Sequence, residues 1–312
     1  MSPDPDSVYA ARLELLGRLS DGGYRFMPPT PAVHRRILWR RPGSRAESLE
    51  DIFGWNRPFG AQAVDRELVA LMHAGRMVAR RGPSLVSTLR VASLEGHLYL
   101  HSGYGDRSSD AVFFGPDTYR FAAFIRTALP RLGPKALIVD IGAGSGAGGI
   151  FAHAMIPDAE LILSDVNPLA LRLAAVNAAA AGVQAQFRLA RGAADAPLAD
   201  LILANPPFVA GLRLPTYSRG GGRLGEGLSL DWAREGASRL APGGALLLYT
   251  GSPIFAGHDL LRVPLTRIAE SAGCALAYEE LDPDILPELL LQPAYWRAER
   301  IAAVGAIITR PA

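Results

Sequence analysis

From residue 136 onward, short apolar runs alternate with longer segments of helical periodicity. Seven apolar runs predict strands, at 136–141, 161–165, 185–189, 200–204, 244–250, 274–281 and 301–309. Four segments between them predict helices, at 147–155, 168–181, 229–240 and 259–272. Strands that alternate with helices form βαβ units. The pattern therefore predicts an α/β fold with a doubly wound, Rossmann-like and mainly parallel seven-stranded sheet that closes on a hairpin.

The first hundred residues show a different pattern. An apolar stripe predicts a helix over 63–75. Predicted strands follow at 76–80, 85–91 and 97–101. A helix followed by a β-hairpin is typical of a winged-helix-like α+β domain. We therefore predict a smaller N-terminal domain over 1–108 and a larger α/β domain over 109–312. The sequence leaves open whether the smaller domain recognises a substrate, forms a cap or binds nucleic acid.

The composition is that of an ordinary globular protein, with 312 residues, 49% of them hydrophobic, and a net charge of +2. No apolar run approaches the length of a membrane span, and the acidic first residues do not resemble a signal peptide. We therefore expect a cytoplasmic protein with no membrane partner. Cys274 is the single cysteine, which excludes an internal disulfide and a cysteine-ligated metal cluster, and no metal site is predicted.

A glycine-rich stretch follows the first strand of the larger domain. Residues 137–141 form an apolar run that contains Asp140, and they lead into Gly142-Ala143-Gly144-Ser145-Gly146. Gly142 and Gly144 allow a tight turn and a close approach of the backbone to a ligand. A strand, a glycine turn and a helix in this order indicate a nucleotide-like ligand, although the signal alone is weak.

Two further strand ends make the prediction more specific. The second strand ends in Asp165, followed by Val166 and Asn167, and a carboxylate there can accept hydrogen bonds from both hydroxyls of a ribose. The strand over 200–204 runs into Asn205-Pro206-Pro207-Phe208. In a doubly wound fold, ligands bind outside the carboxyl ends of the strands, where all three segments fall.

Taken in this order, the motifs resemble the class I S-adenosylmethionine (SAM) dependent methyltransferases. The resemblance covers residues 110–312 and is narrower for one branch, which includes the release-factor glutamine methyltransferases, methyltransferase small domains and the N6-adenine and N2-guanine methyltransferases. It implies SAM as the cofactor. The residues it implies for SAM binding are Asp117, Thr118, Asp140, Gly142, Ala143, Gly144, Gly146, Asp165, Val166 and Asn167. Asp117 or Thr118 is also expected to cap the helix that starts there.

The catalytic prediction rests on Asn205, Pro206, Pro207 and Phe208. An amide or aryl-amine nitrogen is a poor nucleophile because its lone pair is delocalised. The Asn205 side-chain carbonyl and the Pro206 backbone carbonyl can each accept one N–H of a planar NH₂ group, which makes its nitrogen more electron-rich in the transition state. The two prolines stiffen the turn, and Phe208 offers a face for stacking.

The methyl acceptor is less well determined. A protein glutamine, for example in a release factor, is the leading prediction. The alternatives are an adenine or guanine base of DNA or rRNA, a small-molecule amine, and a catalytically silent SAM-binding module.

Two features depart from the family. Gly192-Ala193 stands where Gly-Asp often recognises adenine, and a glycine-rich loop over 213–228 is predicted to be either a lid or a mobile surface loop.

Overall fold

A computed structural model describes residues 5–40, 42–62, 64–210 and 219–312. The first part contains the helices and strands α1 (Pro5–Asp21), α2 (Pro31–Arg40), α3 (Arg66–Ala74), β1 (Val78–Arg81), β2 (Ser84–Ser87), β3 (Leu89–Leu94), β4 (His97–Ser102) and α4 (Pro116–Ala128). The second part contains β5 (Leu137–Ile141), α5 (Ala147–Met155), β6 (Glu160–Asp165), α6 (Pro168–Ala180), β7 (Gln186–Leu189), β8 (Ala199–Ala204), α7 (Gly227–Ser238), β9 (Leu240–Phe255), β10 (His258–Asp259), α8 (Arg262–Ser271), β11 (Ala275–Asp282) and β12 (Arg300–Thr309).

The main sheet has the strand order β11-β12-β9-β8-β5-β6-β7. Strands β9, β8, β5, β6 and β7 are parallel neighbours, whereas β12 runs antiparallel between β9 and β11. The prediction of a mainly parallel Rossmann-like sheet with a closing hairpin is confirmed. An eighth strand, the two-residue β10, pairs with β9. It occupies the start of the helix predicted over 259–272, which begins at Arg262 instead.

Helices cover both faces of the main sheet, which explains why its central strands are largely apolar. Helices α4, α5 and α6 pack on one face around residues such as Phe121 and Ile150. Helices α7 and α8 pack on the other face around residues such as Trp232 and Leu265. Each strand end is therefore held between two packed layers, which makes the carboxyl edge of the sheet a rigid platform.

A third core joins the N-terminal elements to α6. It contains side chains from α1, α3 and β2–β4 together with Ala170, Leu173 and Val176 of α6. Helix α6 is therefore buried on two sides, which fits its nearly uniform apolar sequence. The boundary between residues 108 and 109 stays a prediction.

The strand predicted over 85–91 is wrong as a single element. Ser87 ends β2, which pairs with β1, and Leu89 begins β3, which pairs with β4. The Ser87 hydroxyl donates to the backbone oxygen of Met77 at 3.1 Å, and the Thr88 N–H donates to the same residue's oxygen at 2.9 Å. These bonds turn the chain between two hairpins. Because the apolar pattern continues through the turn, periodicity alone does not reveal it.

Asn177 links α6 to the edge of β4 and to the glycine turn. Its side-chain oxygen accepts from the Leu100 N–H at 2.8 Å, and its amide nitrogen donates to the backbone oxygens of Leu100 at 3.1 Å and Ser145 at 2.9 Å. The residue is 0% exposed. The amide therefore completes the outward edge of β4, which in the described structure pairs with β3 alone.

We predict that Asn177→Ala lowers the free energy of unfolding by about 3 kcal/mol, because it leaves buried backbone groups of Leu100 and Ser145 without partners. Urea denaturation of the full chain measures this change. Gln184→Ala, which removes an exposed amide four residues after α6, is the control and should change stability by less than about 0.5 kcal/mol. Equal effects of the two substitutions would contradict the role given to Asn177.

Candidate active site

The strand register brings the three predicted motifs side by side. Ile141 of β5 pairs with Ser164 of β6 on one side and with Ala204 of β8 on the other. The residues that follow these three are Gly142, Asp165 and Asn205. Because neighbouring strands lie about 4.8 Å apart, the three residues form a row roughly 10 Å long on the carboxyl edge.

Asp165 is bonded to the glycine turn and to the start of α6. Its Oδ2 accepts from the Gly144 N–H at 2.8 Å, and its Oδ1 accepts from the Asn167 N–H at 2.8 Å. Burial raises the pKa of Asp165, while these two N–H groups act in the opposite direction. The next residue, Val166, is 63% exposed, so an apolar side chain stands free beside the carboxylate.

Asn167 and Ala143 complete this edge. The Asn167 side-chain oxygen accepts from the Leu169 N–H at 2.9 Å and caps α6, while its amide nitrogen donates to the backbone oxygen of Asp110 at 2.7 Å. The Ala143 N–H donates to the backbone oxygen of Ser164 at 2.9 Å. The Asn167 side chain is thus engaged with protein groups on both of its ends.

Asp140 lies beneath the glycine turn. Its Oδ2 accepts from the Gly149 N–H at 2.7 Å, in the first turn of α5, whose N-cap is Gly146. Burial is the main cause that raises the pKa of Asp140 to about 7. The side chain is buried, so it fixes the helix against the strand from below.

Gly142 is the turn residue for which the structure gives a clear steric reason. Its φ is +64°, and a β-carbon there would collide with the indole of Trp232 on α7. Only glycine satisfies both conditions without strain. Helix α7 therefore closes against the turn.

Thr118 and Asp117 take different roles at the start of α4. The expected N-cap at Asp117 or Thr118 is wrong, because α4 begins at Pro116 and its N-cap residue is Gly115; Thr118 is the third helical residue, and its hydroxyl accepts from the Gly115 N–H at 3.3 Å. Asp117 instead accepts a hydrogen bond from the Tyr249 hydroxyl at 2.8 Å and forms an ion pair with Arg120 at 3.4 Å. Burial raises the pKa of Asp117, against the effect of these two partners.

The Asn205-Pro206-Pro207-Phe208 turn leaves its polar groups available. Asn205 is half-buried, and within the described ranges neither its side chain nor the Pro206 carbonyl makes a hydrogen bond. The Phe208 ring lies edge-on to Tyr249, with 6.4 Å between the ring centroids. The Phe208 ring also packs against Gly251 of β9. The turn is therefore fixed through Phe208, while its two carbonyl acceptors have no partner in the part of the chain that the structure describes.

Part of the glycine-rich loop packs directly on this turn. The Gly220 N–H donates to the Val209 oxygen at 3.0 Å. Gly225 has a φ of +93°, and a β-carbon there would collide with the backbone of Phe208. Residues 219–227 therefore lie against the motif rather than project from the surface. Residues 213–218 of the predicted loop lie outside the described residues.

Tyr295 holds both sides of this loop, and the sequence analysis missed it. Its hydroxyl accepts from the Ala210 N–H at 2.7 Å and donates to the Leu224 oxygen at 2.9 Å. The residue is fully buried and comes from the segment between β11 and β12. Nothing in a lone tyrosine 85 residues after Ala210 signals this contact in the sequence.

The sequence does not indicate Tyr249 or Glu235 either. Leu248 of β9 pairs with Ala204, so Tyr249 lies level with Asn205 on the neighbouring strand, which continues to Phe255. Glu235 of α7 accepts through Oε2 from the Ala193 N–H at 2.8 Å, so a carboxylate lies at the Gly192-Ala193 position that lacks one in sequence. Among the described residues, no group of three or more His, Cys, Asp or Glu side chains could hold a metal ion. No helix in the same ranges is long and apolar enough to span a membrane.

The raised pKa of Asp140 predicts a stability profile. The folded chain holds the proton up to pH of about 7, whereas an unfolded aspartate releases it near pH 3.9. The folded state binds more protons between these values, so the contribution of Asp140 to stability falls as pH rises through this window. Asp140→Asn keeps an acceptor for Gly149 and removes the titration.

We therefore expect the stability of Asp140→Asn relative to the unsubstituted protein to increase from pH 4 to pH 7, by at most about 4 kcal/mol, and then to level off. Urea denaturation across this pH range measures the difference. Asp195→Asn, at an exposed carboxyl, controls for the loss of one negative charge. A difference that stays constant with pH would show that Asp140 does not titrate in this window.

Comparison with known proteins agrees with this geometry. Residues 122–252 match the family model described as "Methyltransferase small domain". The release factor glutamine methyltransferase of Deinococcus radiodurans is 35% identical over 132 residues, covering 36% of this chain and 45% of that protein. The ribosomal RNA small subunit methyltransferase C of Hahella chejuensis is 34% identical over 122 residues, covering 39% of this chain and 32% of that protein.

A third relative aligns over a longer stretch. The 4-amino-L-phenylalanine/4-methylamino-L-phenylalanine methyltransferase of Streptomyces pristinaespiralis is 31% identical over 185 residues, covering 54% of this chain and 62% of that protein. The chain spans about half the length of the release factor glutamine methyltransferases that it matches. Residues 122–252 are thus a methyltransferase small domain, and with the strand order and the release factor glutamine methyltransferase relatives they support a class I SAM-dependent methyltransferase of this branch.

Proposed function

We propose that this protein transfers a methyl group from SAM to a planar amide or amino nitrogen. One observation carries the proposal. Asn205, whose side-chain carbonyl and the following Pro206 carbonyl have no hydrogen-bond partner among the described residues, comes directly after Ala204, the strand residue that pairs with Ile141 at the base of the glycine turn. The protein groups that would bind the methyl acceptor and those that would bind the cofactor thus lie on the same edge of the main sheet.

The residues at this edge suit SAM. Asp165 retains lone pairs for ribose hydroxyls after accepting two backbone hydrogen bonds, because each carboxylate oxygen accepts more than one. Val166 offers an exposed apolar surface for a purine ring. Gly142 and Gly144 bring the backbone close to the ligand. SAM would supply an electrophilic methyl group on a sulfonium. The protein's own residues would bind the cofactor and orient the acceptor nitrogen.

Asn205 orients and activates the nitrogen. Two carbonyl acceptors hold the two N–H bonds of a planar NH₂ group, so its lone pair points toward the methyl group. With SAM bound, the two carbonyl acceptors would also stabilise the positive charge that develops on the nitrogen as it takes the methyl group from sulfur. The extra proton on nitrogen then leaves to solvent. The Phe208 ring limits the plane in which the methyl-accepting group lies.

A glutamine side chain of a protein is the acceptor that we favour. The chain is 33–36% identical to the release factor glutamine methyltransferases of three species over their matched segments. The spacing from Asn205 through the glycine-rich loop to α7 also resembles that branch. A base of rRNA is the second candidate, supported by Phe208 and by the matches to two ribosomal RNA methyltransferases.

Two substitutions separate cofactor binding from turnover. We expect Asp165→Ala to raise the Kd for SAM at least about tenfold, through loss of charge-assisted hydrogen bonds. We expect Asn205→Ala to leave that Kd within about twofold and to lower kcat by roughly 100- to 1,000-fold. Calorimetric titration with SAM and a methyl-transfer assay measure the two quantities. Near-normal turnover by Asn205→Ala would exclude the assigned role.

The acceptor class follows from a labelling experiment. The protein and methyl-labelled SAM are added to extract from cells that lack its gene, and the product is divided between protease and nuclease digestion. Label released by protease supports the glutamine proposal, and label released by nuclease supports the rRNA candidate. Label in the small-molecule fraction would contradict both, and absence of label with intact SAM binding would indicate a silent SAM-binding module. The Asn205→Ala protein provides the background.

A further inference from the structure

A groove between α1 and α6 contains an unusual concentration of positive charge. Its volume is about 580 Å³, which is within the range of small-molecule binding sites. Arg12 of α1, Arg76 after α3 and Arg172 of α6 all line it, and Asp6 is the one acidic residue among the described residues that do so. The groove thus carries a formal excess of two positive charges, against +2 for the whole chain.

The three guanidinium groups are close enough to repel one another. Burial, followed by the charges of Arg172 and Arg76, lowers the pKa of Arg12. The Arg12 Nε donates to the Gly75 oxygen at 3.0 Å, which fixes its side chain across the turn between α3 and β1. Arg76 follows in that turn with a φ of +53°, a conformation that costs a non-glycine residue about 1 kcal/mol. An electrostatically unfavourable cluster in a fixed position is suited to an anion.

None of the three arginines forms an ion pair with a carboxylate in the part of the chain that the structure describes. Other arginines with acidic neighbours do so, for example Arg120 with Asp282 at 2.9 Å. The planar donors of Arg76 and Arg172 are therefore available to bind phosphate oxygens in bidentate geometry.

The groove also presents an aromatic ring. Tyr9 lies one helical turn before Arg12 on α1, lines the same groove and is 38% exposed. Positive groups beside an exposed aromatic ring are the combination that binds single-stranded nucleic acid, with phosphates on the cations and a base stacked on the ring. The volume of the groove exceeds the need of a lone phosphate ion.

We propose that the groove formed by Tyr9, Arg12, Arg76 and Arg172 binds the phosphate groups of a single strand of nucleic acid. The groove lies between α1 and α6, and none of its lining residues belongs to the row of strand ends. Its ligand need not be the methyl acceptor, and its test does not depend on methyl transfer.

Fluorescence anisotropy with a labelled twelve-nucleotide polyuridine strand tests the proposal on the full chain. With three phosphate contacts, affinity should fall about twentyfold between 50 mM and 200 mM salt. The double variant Arg76→Gln/Arg172→Gln should weaken binding at least about tenfold and reduce the salt slope by about 1.4. Its affinity for SAM should stay unchanged, and its thermal unfolding temperature should not fall, because both residues are exposed and their loss relieves the repulsion at Arg12.

The control variant is Arg131→Gln/Arg267→Gln, which removes the same charge at exposed positions outside the groove and should bind RNA normally. Competition with AMP and with inorganic phosphate shows whether the groove binds the phosphates of a strand or those of a free nucleotide. Weak competition supports the RNA strand, and competition by AMP at the affinity of the strand supports a free nucleotide in the same site. Equal weakening by both double variants, or tighter binding of polyglutamate than of RNA, would overturn the proposal.

Discussion

Two carboxylates on adjacent parallel strands hold the central turn of this protein. Asp165 binds the Gly144 N–H from the side, and Asp140 binds the Gly149 N–H from below. Both bonds are made by groups of the protein itself, so the chain holds the backbone conformation of the turn with its own carboxylates. The opposite side of the turn is closed by Trp232, which requires glycine at position 142. The cofactor edge therefore depends on the strand register, and the register depends on the apolar cores above and below the sheet.

The N-terminal elements contribute to the same platform. Helix α6 begins two residues after Val166 and packs on one side against the core of the main sheet and on the other against α1, α3 and the hairpins. Through Asn177, a single side chain connects β4 to the backbone of Ser145 inside the glycine turn. A change in the N-terminal part that moves α6 would therefore also move the glycine turn and the residues around Asp165. This coupling gives the first hundred residues a physical route to the site, whatever they bind.

Most of the fold could be predicted from the sequence, for identifiable reasons. Buried parallel strands give largely apolar runs, so the sequence predicted that Gly142, Asp165 and Asn205 follow neighbouring strands at one edge of the sheet, and the strand register confirms this placement. The roles of these three residues stay predictions. The break at Thr88 could not be found, because it depends on hydrogen bonds to Met77, far back in the chain. Tyr295, Tyr249 and Glu235 could not be assigned for a similar reason. Each acts through a contact that only the folded chain creates, and none belongs to a local motif. The SAM contacts and the two-domain boundary stay predictions.

The hydroxyl of Tyr295 joins two parts of the chain that the sequence separates by fourteen residues. It binds Ala210 and Leu224 from a segment that follows β11. Because both hydrogen bonds meet at one oxygen atom, they are not independent of each other. Loss of that single hydroxyl would remove support from the Asn205-Pro206-Pro207-Phe208 turn and from residues 219–227 at the same time, so the two segments form one cooperative unit.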